Sequence, residues 1–256
     1  MKISHWKISH WAFCAFSVVF PITAFSQAGI YDNPQNLKVL PADTSSEVLS
    51  QTMRSFALDT GFRCSSCHVG EENQRLTDYD FASDEKQLKS TARLMMKMVN
   101  SINSSHLAEL GEDRVKVRCL TCHRGVNKPA LIGDVLTAAA GEGGVEAMTT
   151  RYLELREEYY GSHSYDFTDM TLSDFARTRA AAGHLDQATA MLDLVLKDNP
   201  ESFMAQFSYG ELHHRAGNAK LAIEHYGKAI EINPGAAGFL QQRIDQLQNK
   251  GEEPGS

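Results

Sequence analysis

The sequence predicts an all-α protein in two parts, and two observations lead to that prediction. Between residues 44 and 102, apolar side chains recur at intervals of three and four, the spacing of a helix with one buried face. Beyond residue 144, the sequence repeats itself at an interval of 34 residues, which is typical of stacked helical hairpins. The 256 residues are 42% hydrophobic and 22% charged, so the chain can bury a core.

The N-terminal residues 1–26 predict a secretory signal peptide. Lys2 and Lys7 come first, an apolar stretch follows, and small residues precede a cleavage position after Ser26. An uncleaved membrane anchor is the alternative, but the apolar stretch of about 14 residues is broken by Pro21 and is short for a spanning helix. We therefore expect an exported, periplasmic protein, with release from the cell and membrane association left open.

The net charge limits the partners that the chain can recognise. The full chain has a formal net charge of −7, and removal of two leader lysines would make it −9. Binding to nucleic acid needs a basic footprint, so we expect no nucleic-acid partner. An acidic surface instead predicts partner proteins with basic docking patches and an association that weakens with salt.

Every cysteine of the predicted mature chain lies in one of two C-x-x-C-H motifs, which are the attachment signature of c-type haem. The first motif consists of Cys64, Cys67 and His68, and the second consists of Cys119, Cys122 and His123. The spacing lets two thiols of one helical turn reach two neighbouring vinyl groups of a porphyrin. It also brings the following histidine against the iron as an axial ligand. The sequence therefore predicts two covalently bound c-type haems.

Other uses of paired cysteines fit this pattern less well. A C-x-x-C redox pair does not need a histidine after both copies, and it usually occurs once, near a βαβ pattern. A Cys₂His₂ zinc site has a shorter and more regular spacing between its two ligand pairs. Disulfides across a two-residue gap would be strained.

The helix before the first motif carries a candidate for the second axial ligand. We expect it to begin with Thr44 as N-cap, because Glu47 completes a capping box, and to end at Gly61. Met53 lies on its apolar face, eleven residues before Cys64. From the residues alone, Met53 is either an iron ligand or a core methionine.

The helix before the second motif carries several methionines. We expect it to begin after Ser83, which is a good N-cap. Met95 lies in the middle of its apolar face and Met98 lies one turn further on the same side, so spacing leaves the choice between them open. His106 follows this helix, and a loop histidine is usually solvated.

Residues 36–129 resemble the cytochrome subunit of photosynthetic reaction centres, in its wider, mostly non-photosynthetic two-haem form. The segments that carry the resemblance are MRSFALDTGFRCSSCHVG, DFASDEKQLKSTARLMMKMVNSIN and VRCLTCHRG. The family pattern is a methionine-bearing helix, a turn and then C-x-x-C-H. The resemblance implies that Met53 is the sixth ligand of the first haem. It also implies that Met95, which follows an Ala-Arg-x triplet, serves the second haem, with Met98 as the alternative.

This sequence departs from the photosynthetic subunit in three respects. The subunit has four haems, whereas this chain has two motifs. The cysteine that anchors the subunit to lipid is absent. The family histidine that serves another haem has no clear match, and Glu109 falls near its place.

The second part has the period of tetratricopeptide repeats (TPR). Ala182-Gly183 recurs as Ala216-Gly217, and Asn199-Pro200 recurs as Asn233-Pro234, both at an offset of 34. The predicted repeats span 169–202 and 203–236, with a helix at 145–159 before them and a capping helix at 237–248 after them. Such repeats bind proteins or serve as an oligomerising appendage.

The whole prediction is an all-α chain whose multihaem cytochrome c domain has little regular core and precedes a short TPR-like domain. Its parts are a signal peptide at 1–26, a di-haem domain at 27–135, a linker at 136–144, a TPR-like domain at 145–250 and a disordered tail at 251–256.

The predicted function is one-electron transfer between redox proteins by an electron carrier that is not an enzyme. The repeats would dock a partner or form a homo-oligomer, and association with a membrane complex is left open. A di-haem peroxidase with one open iron and a TPR-based assembly or redox-sensing scaffold are the alternatives.

Overall fold

The computed structural model describes residues 29–251. Within them the chain is helical, with ten α-helices and no β-strand, which confirms the all-α prediction. The helices are α1 (Ser46–Thr60), α2 (Cys64–Cys67), α3 (Gln87–Ser101), α4 (Cys119–His123), α5 (Ile132–Tyr159), α6 (Asp169–Ala181), α7 (Leu185–Asp198), α8 (Phe203–Arg215), α9 (Ala219–Ile232) and α10 (Ala237–Gly251). The predicted signal peptide, residues 1–26, and most of the predicted tail lie outside the described residues.

Helix α1 ends as predicted but begins one residue later than expected. Ser45, not Thr44, is the N-cap, and its hydroxyl accepts a hydrogen bond from the Val48 amide. Thr44 instead donates its hydroxyl to the Pro41 carbonyl at 2.6 Å, so it belongs to the preceding turn. Gly61 closes the helix at a φ of 71°, which favours glycine.

Helix α3 begins at Gln87 rather than directly after Ser83. The carboxylate of Asp80 accepts hydrogen bonds from the amides of Ala82 and Ser83, both at 2.9 Å. The Ser83 hydroxyl accepts one from the Glu85 amide at 3.2 Å. These local turns hold residues 80–85 as a loop and delay the helix. At its other end, α3 continues into one π-helical turn, Ile102–His106.

The segment predicted as a linker, residues 136–144, is mostly helical. It lies in α5, and only Gly143 and Gly144 leave helical geometry, so the break is confined to two residues. Leu136 and Ala140 are buried in the core of the second part. Tertiary burial on one face therefore extends the helix through a stretch whose composition resembles a linker.

The second part consists of helical hairpins at the predicted repeat. The pair α8 and α9 has the bounds of the pair α6 and α7, shifted by 34 residues at every end. Gly183 and Gly217 occupy equivalent turns with φ of 89° and 77°. Helix α5 packs on α7 before the repeats and α10 packs on α9 after them, so the flanking helices cover the ends of the array.

The buried apolar residues are distributed very unevenly. Both core clusters consist of residues from Ile132 onward. Among residues 29–131, the buried apolar side chains are Leu49, Tyr79 and Val126. The first part therefore has almost no conventional core, as the sequence predicts.

Candidate haem sites

The methionine-bearing helices pack crosswise against the two motifs. Helix α1, which carries Met53, packs against α4 of the second motif. Helix α3, which carries Met95, packs against α2 of the first motif. Neither helix packs to a similar extent against the motif that follows it in the chain. Each methionine-bearing helix thus packs against the haem motif that the other such helix precedes.

The imidazole of the second motif is held in a defined orientation. Nδ1 of His123 lies 2.9 Å from the Val126 carbonyl oxygen, and a carbonyl can only accept, so Nδ1 carries the proton. Nε2 is then the nitrogen whose lone pair can bind a metal. The Val126 amide also donates to the His123 carbonyl at 2.9 Å, which closes the turn around the ring.

The end of α1 fixes this turn in place. The Gly125 amide donates to the Asp59 carbonyl at 2.9 Å. A Cβ atom on Gly61 would lie 2.4 Å from the Gly125 carbonyl oxygen, so only glycine permits this approach. Gly61 therefore ends the helix and also lets the second motif come close to the first methionine-bearing helix.

The imidazole of the first motif lies in a more enclosed setting. The His68 ring meets Phe81 edge to face, with centroids 4.9 Å apart. Its Nδ1 is buried and has no hydrogen-bond partner among the described residues. Burial, with smaller contributions from Lys89 and Arg93, lowers the pKa of His68 to about 4. The imidazole is therefore neutral at neutral pH, the form that binds iron.

A hydrogen bond and a close contact position the first motif. Nζ of Lys86 donates to the Ser65 carbonyl at 2.6 Å, which ties α2 to the start of α3. Gly70 lies directly against the Tyr79 ring, and a Cβ on it would come within 2.5 Å of that ring. The Tyr79 hydroxyl donates to the Glu71 carbonyl at 2.6 Å and holds the ring there.

Among the described residues, the four motif cysteines form no disulfide. Burial is the largest cause that raises the pKa of Cys67, and Cys64 raises it further. Burial likewise raises the pKa of Cys119, with Asp59 as a second cause. Nucleophilic redox cysteines have lowered pKa values, so Cys67 and Cys119 do not have the electrostatics of such a nucleophile.

The three candidate methionines differ in burial. Met53 and Met95 are partly buried, whereas Met98 is 44% exposed. Met95 and Met98 lie one turn apart on α3, as predicted. His106 lies at the end of the π-helical turn and is exposed. The roles of the three methionines stay predictions, as do the axial roles of His68 and His123.

The first part exposes several large apolar side chains. Val115 is 87% exposed, and the others among residues 29–131 are Val48, Leu58, Leu76, Leu94, Met98, Leu110, Leu120 and Leu131. An apolar surface of this kind, beside a near-absent core, is expected where the polypeptide packs around a large apolar group. Two thiols, an imidazole and a thioether are the donor set of c-type haem, so the residue types fit that cofactor.

Some positioning residues are not readable from spacing. Val126 orients His123 through its backbone carbonyl, which no side-chain pattern reveals. Phe81 lies thirteen residues after His68, and their contact depends on the loop between them. Gly125, two residues after His123, is a local signal of the tight turn.

Two further observations concern the described residues. None of the helices among residues 29–251 combines the length and apolarity needed to cross a membrane. Within the same range, no three or more His, Cys, Asp and Glu side chains converge in a metal-binding group.

Comparison with known proteins gives one match. No curated protein and no solved structure matches the chain. Residues 21–205 match the family described as "Photosynthetic reaction centre cytochrome C subunit". The match includes both motifs, both methionine-bearing helices and the first repeat, which is well over half of the 256 residues. The chain therefore belongs to the reaction-centre cytochrome c subunit family, which consists of haem-containing electron-transfer proteins.

Proposed function

We propose that this chain is an exported di-haem c-type cytochrome that carries single electrons between redox proteins. The observation that carries the proposal is the crosswise packing of α1 on α4 and of α3 on α2. A porphyrin between a methionine-bearing helix and the motif that follows it would keep that helix and motif apart. These are α1 with α2 and α3 with α4, and neither pair packs closely.

The haems, when bound, supply an iron that changes between ferric and ferrous states. The chain's own residues attach and orient them. Cys64 and Cys67 hold the first haem, and Cys119 and Cys122 hold the second. His68 and His123 are the proximal ligands, and the Val126 carbonyl keeps the His123 proton on Nδ1.

Met53 would supply a sulfur ligand to the first haem, and Met95 would supply one to the second. Met98 is the alternative to Met95, and its 44% exposure makes it less enclosed than Met95. A filled sixth position keeps the coordination unchanged during electron transfer. It also leaves no open iron for peroxide, which favours an electron carrier over an enzyme.

The repeat region serves to dock a redox partner or a second copy of the chain. Two hairpins whose helices match in length are covered at their ends by α5 and α10. TPR-like domains use short arrays of such hairpins to bind proteins. Association with a membrane complex and a periplasmic location belong to the same proposal, and they rest on the sequence of residues 1–26.

The first test is the haem content and the iron spectrum of the purified protein. We expect a pyridine haemochrome count of two per chain and the weak ferric band at about 695 nm that marks methionine coordination. Met53→Ala and Met95→Ala should each remove part of this band. Met98→Ala is the matched control on the same helix and should leave it unchanged.

The result that would overturn the proposal is a high-spin ferric spectrum that shifts when peroxide is added. That outcome supports the di-haem peroxidase. A protein without haem whose repeat region alone captures partners from a periplasmic extract would instead support the assembly or redox-sensing scaffold.

A further inference from the structure

Charge is distributed unevenly between the two parts of the chain. Residues 132–251 contain ten Lys and Arg but seventeen Asp and Glu. Residues 114–131 contain five basic side chains and no acidic one, although the chain as a whole is acidic. The five, called the basic segment here, are Arg114, Lys116, Arg118, Arg124 and Lys128. They flank the second haem motif on both sides.

The first half of the basic segment is fixed to the end of α3. The Asn103 side chain donates to the Val117 carbonyl and accepts from the Val117 amide, both at 2.8 Å. Residues 114–118 form neither helix nor turn, and Arg118 has an extended backbone with φ of −129° and ψ of 172°. Lys116 and Arg118 are exposed and lie directly before Cys119.

The charges of the basic segment are not neutralised by neighbouring carboxylates. Among residues 29–251, none of the five forms an ion pair within 4.0 Å. Arg114 donates to the Gly111 carbonyl at 2.6 Å, and Lys116, Arg118 and Lys128 are exposed. Glu112 and Asp113 precede the basic segment, and Asp59 lies near Cys119. These three acidic side chains are fewer than the five basic side chains of the segment.

The first motif has the opposite setting. Residues 59–80 contain five acidic and two basic side chains. Both arginines are paired, Arg63 with Glu72 at 3.7 Å and Arg75 with Asp78 at 3.2 Å. Lys86 also adjoins the first motif, but its ammonium donates to the Ser65 carbonyl. Among the described residues, the second motif therefore has the larger basic surface without carboxylate partners.

We propose that the basic segment docks an electron-transfer protein with an acidic face at the second haem motif. The inference rests on the proposed function. A reduced partner would give up one electron to the haem that Cys119, Cys122 and His123 would hold, which would take that haem from the ferric to the ferrous state. Because the basic segment adjoins Cys119 and Cys122, it would attract the acidic partner to the place where the electron passes between the two proteins. This partner differs from the basic partner that the net charge alone predicts.

The docking proposal can be tested with small complex ions as probes of the full-length holoprotein. Hexacyanochromate(III) is anionic, paramagnetic and inert to reduction, so NMR line broadening maps where an anion gathers. We expect broadening of the amides of residues 114–128. Oxidation of the reduced protein by hexacyanoferrate(III), in which one electron passes from haem iron to the complex, then gives a rate.

Two double variants test the charges with the same chemical change. Lys116→Gln/Lys128→Gln alters exposed lysines of the basic segment, and Lys197→Gln/Lys220→Gln alters exposed lysines of the repeat region. At low salt we expect the first variant to slow oxidation by the anion about three- to tenfold and the control to change it little. Oxidation by tris(phenanthroline)cobalt(III), a cation, should not slow in the first variant.

Four outcomes would overturn the docking proposal. Equal effects of the two double variants, or broadening elsewhere, would show that the segment does not gather anions. Loss of self-association in the first variant during sedimentation would assign the segment to a second copy. Binding to anionic phospholipid vesicles would assign it to a membrane. A protein without haem would contradict the proposed function, while the chromium map would still test the surface.

Discussion

The hydroxyl of Ser164 donates a hydrogen bond to the carbonyl of Arg124 at 2.7 Å, across 40 residues of sequence. Ser164 is buried, and Arg124 has a φ of 50°, which is uncommon for a residue other than glycine. Arg124 directly follows His123, and Ser164 precedes the first repeat. This bond therefore links the turn that orients the second motif's imidazole to the repeat region.

Ser164→Ala should lower the free energy of unfolding by about 1 kcal/mol, because it leaves a buried carbonyl without its donor. Ser90→Ala, on the exposed side of α3, is the control and should change stability by less than about 0.5 kcal/mol. Urea denaturation of the two variants gives the comparison. Equal losses would show that the bond between the two parts contributes nothing.

The second repeat contains a close contact that the first repeat lacks. A Cβ on Gly210 would lie 2.4 Å from the Tyr226 ring. The ring cannot retreat, since Tyr226 is fully buried and its hydroxyl donates to Glu211 at 2.7 Å. The equivalent positions 34 residues earlier hold Ala176 and Leu192. A smaller residue on α8 thus accompanies a larger one on α9.

Gly210→Ala should destabilise the protein by about 1–3 kcal/mol through overpacking. Gly227→Ala is the matched control, because it lies within α9 and nothing approaches its added Cβ within 4 Å. That variant should gain about 0.5–1 kcal/mol from helix propensity. Thermal unfolding should therefore move in opposite directions for the two glycines, and a shift in the same direction would contradict the packing.

Asp84 fastens the segment before α1 to α3. Its carboxylate accepts from Lys38 at 2.5 Å, from Asn36 at 2.9 Å and from Arg93 at 2.7 Å. The hydrogen bond from Lys38, followed by that from Asn36, holds the pKa of Asp84 well below its ordinary value of 3.8. A lowered carboxyl pKa adds stability above the unfolded value, and that stability is lost as the pH falls below it.

Asp84→Asn should lower Tm at neutral pH, and its difference from the wild type should shrink as the pH falls below 3.8. Asp78→Asn is the control, because the ion pair of Asp78 among the described residues is with the exposed Arg75 one turn away. We expect the control to change Tm less. A deficit for Asp84→Asn that persists in acid would show that its ionisation is not the cause.

Local signals in the sequence predict some elements well. Gly61 ends α1 as expected, and the paired Ala-Gly and Asn-Pro positions mark the ends of the repeat helices. These features depend on backbone conformation within a few residues, which the residue type largely determines.

Features that depend on distant contacts were not predictable in the same way. Thr44 and Ser45 are both suitable N-caps for α1. Ser45 is the cap because the Thr44 hydroxyl donates to the Pro41 carbonyl instead. Residues 136–144 are mostly helical because Leu136 is buried by helices that lie later in the chain. The setting of His123 depends on the backbone of Val126, which has no signature in residue type.

Two histidines of the second repeat are partly buried and stack on each other. His213 on α8 and His225 on α9 stack with centroids 5.4 Å apart, and His225 also stacks on Tyr209 at 4.7 Å. His225 Nδ1 lies 2.8 Å from the Gln206 side-chain oxygen. Nδ1 of His213 is buried without a hydrogen-bond partner among the described residues.

Burial lowers the pKa of both histidines, although Glu224 opposes this for each. Lys228 and the neighbouring His213 lower the pKa of His225 further. The folded state therefore favours the neutral rings. As the pH falls below the ordinary value of 6.5, the unfolded chain binds protons that the folded chain does not, and stability decreases.

His213→Phe should reduce the loss of stability at low pH, because it removes one titrating group. It keeps an aromatic ring in the stack and breaks no hydrogen bond. Between about pH 7 and about pH 5, the Tm of the variant should fall less than that of the wild type. His163→Phe, at an exposed position, is the control and should follow the wild type. Because the stack joins α8 to α9, parallel curves for all three proteins would mean that its protonation does not affect the stability of the second repeat.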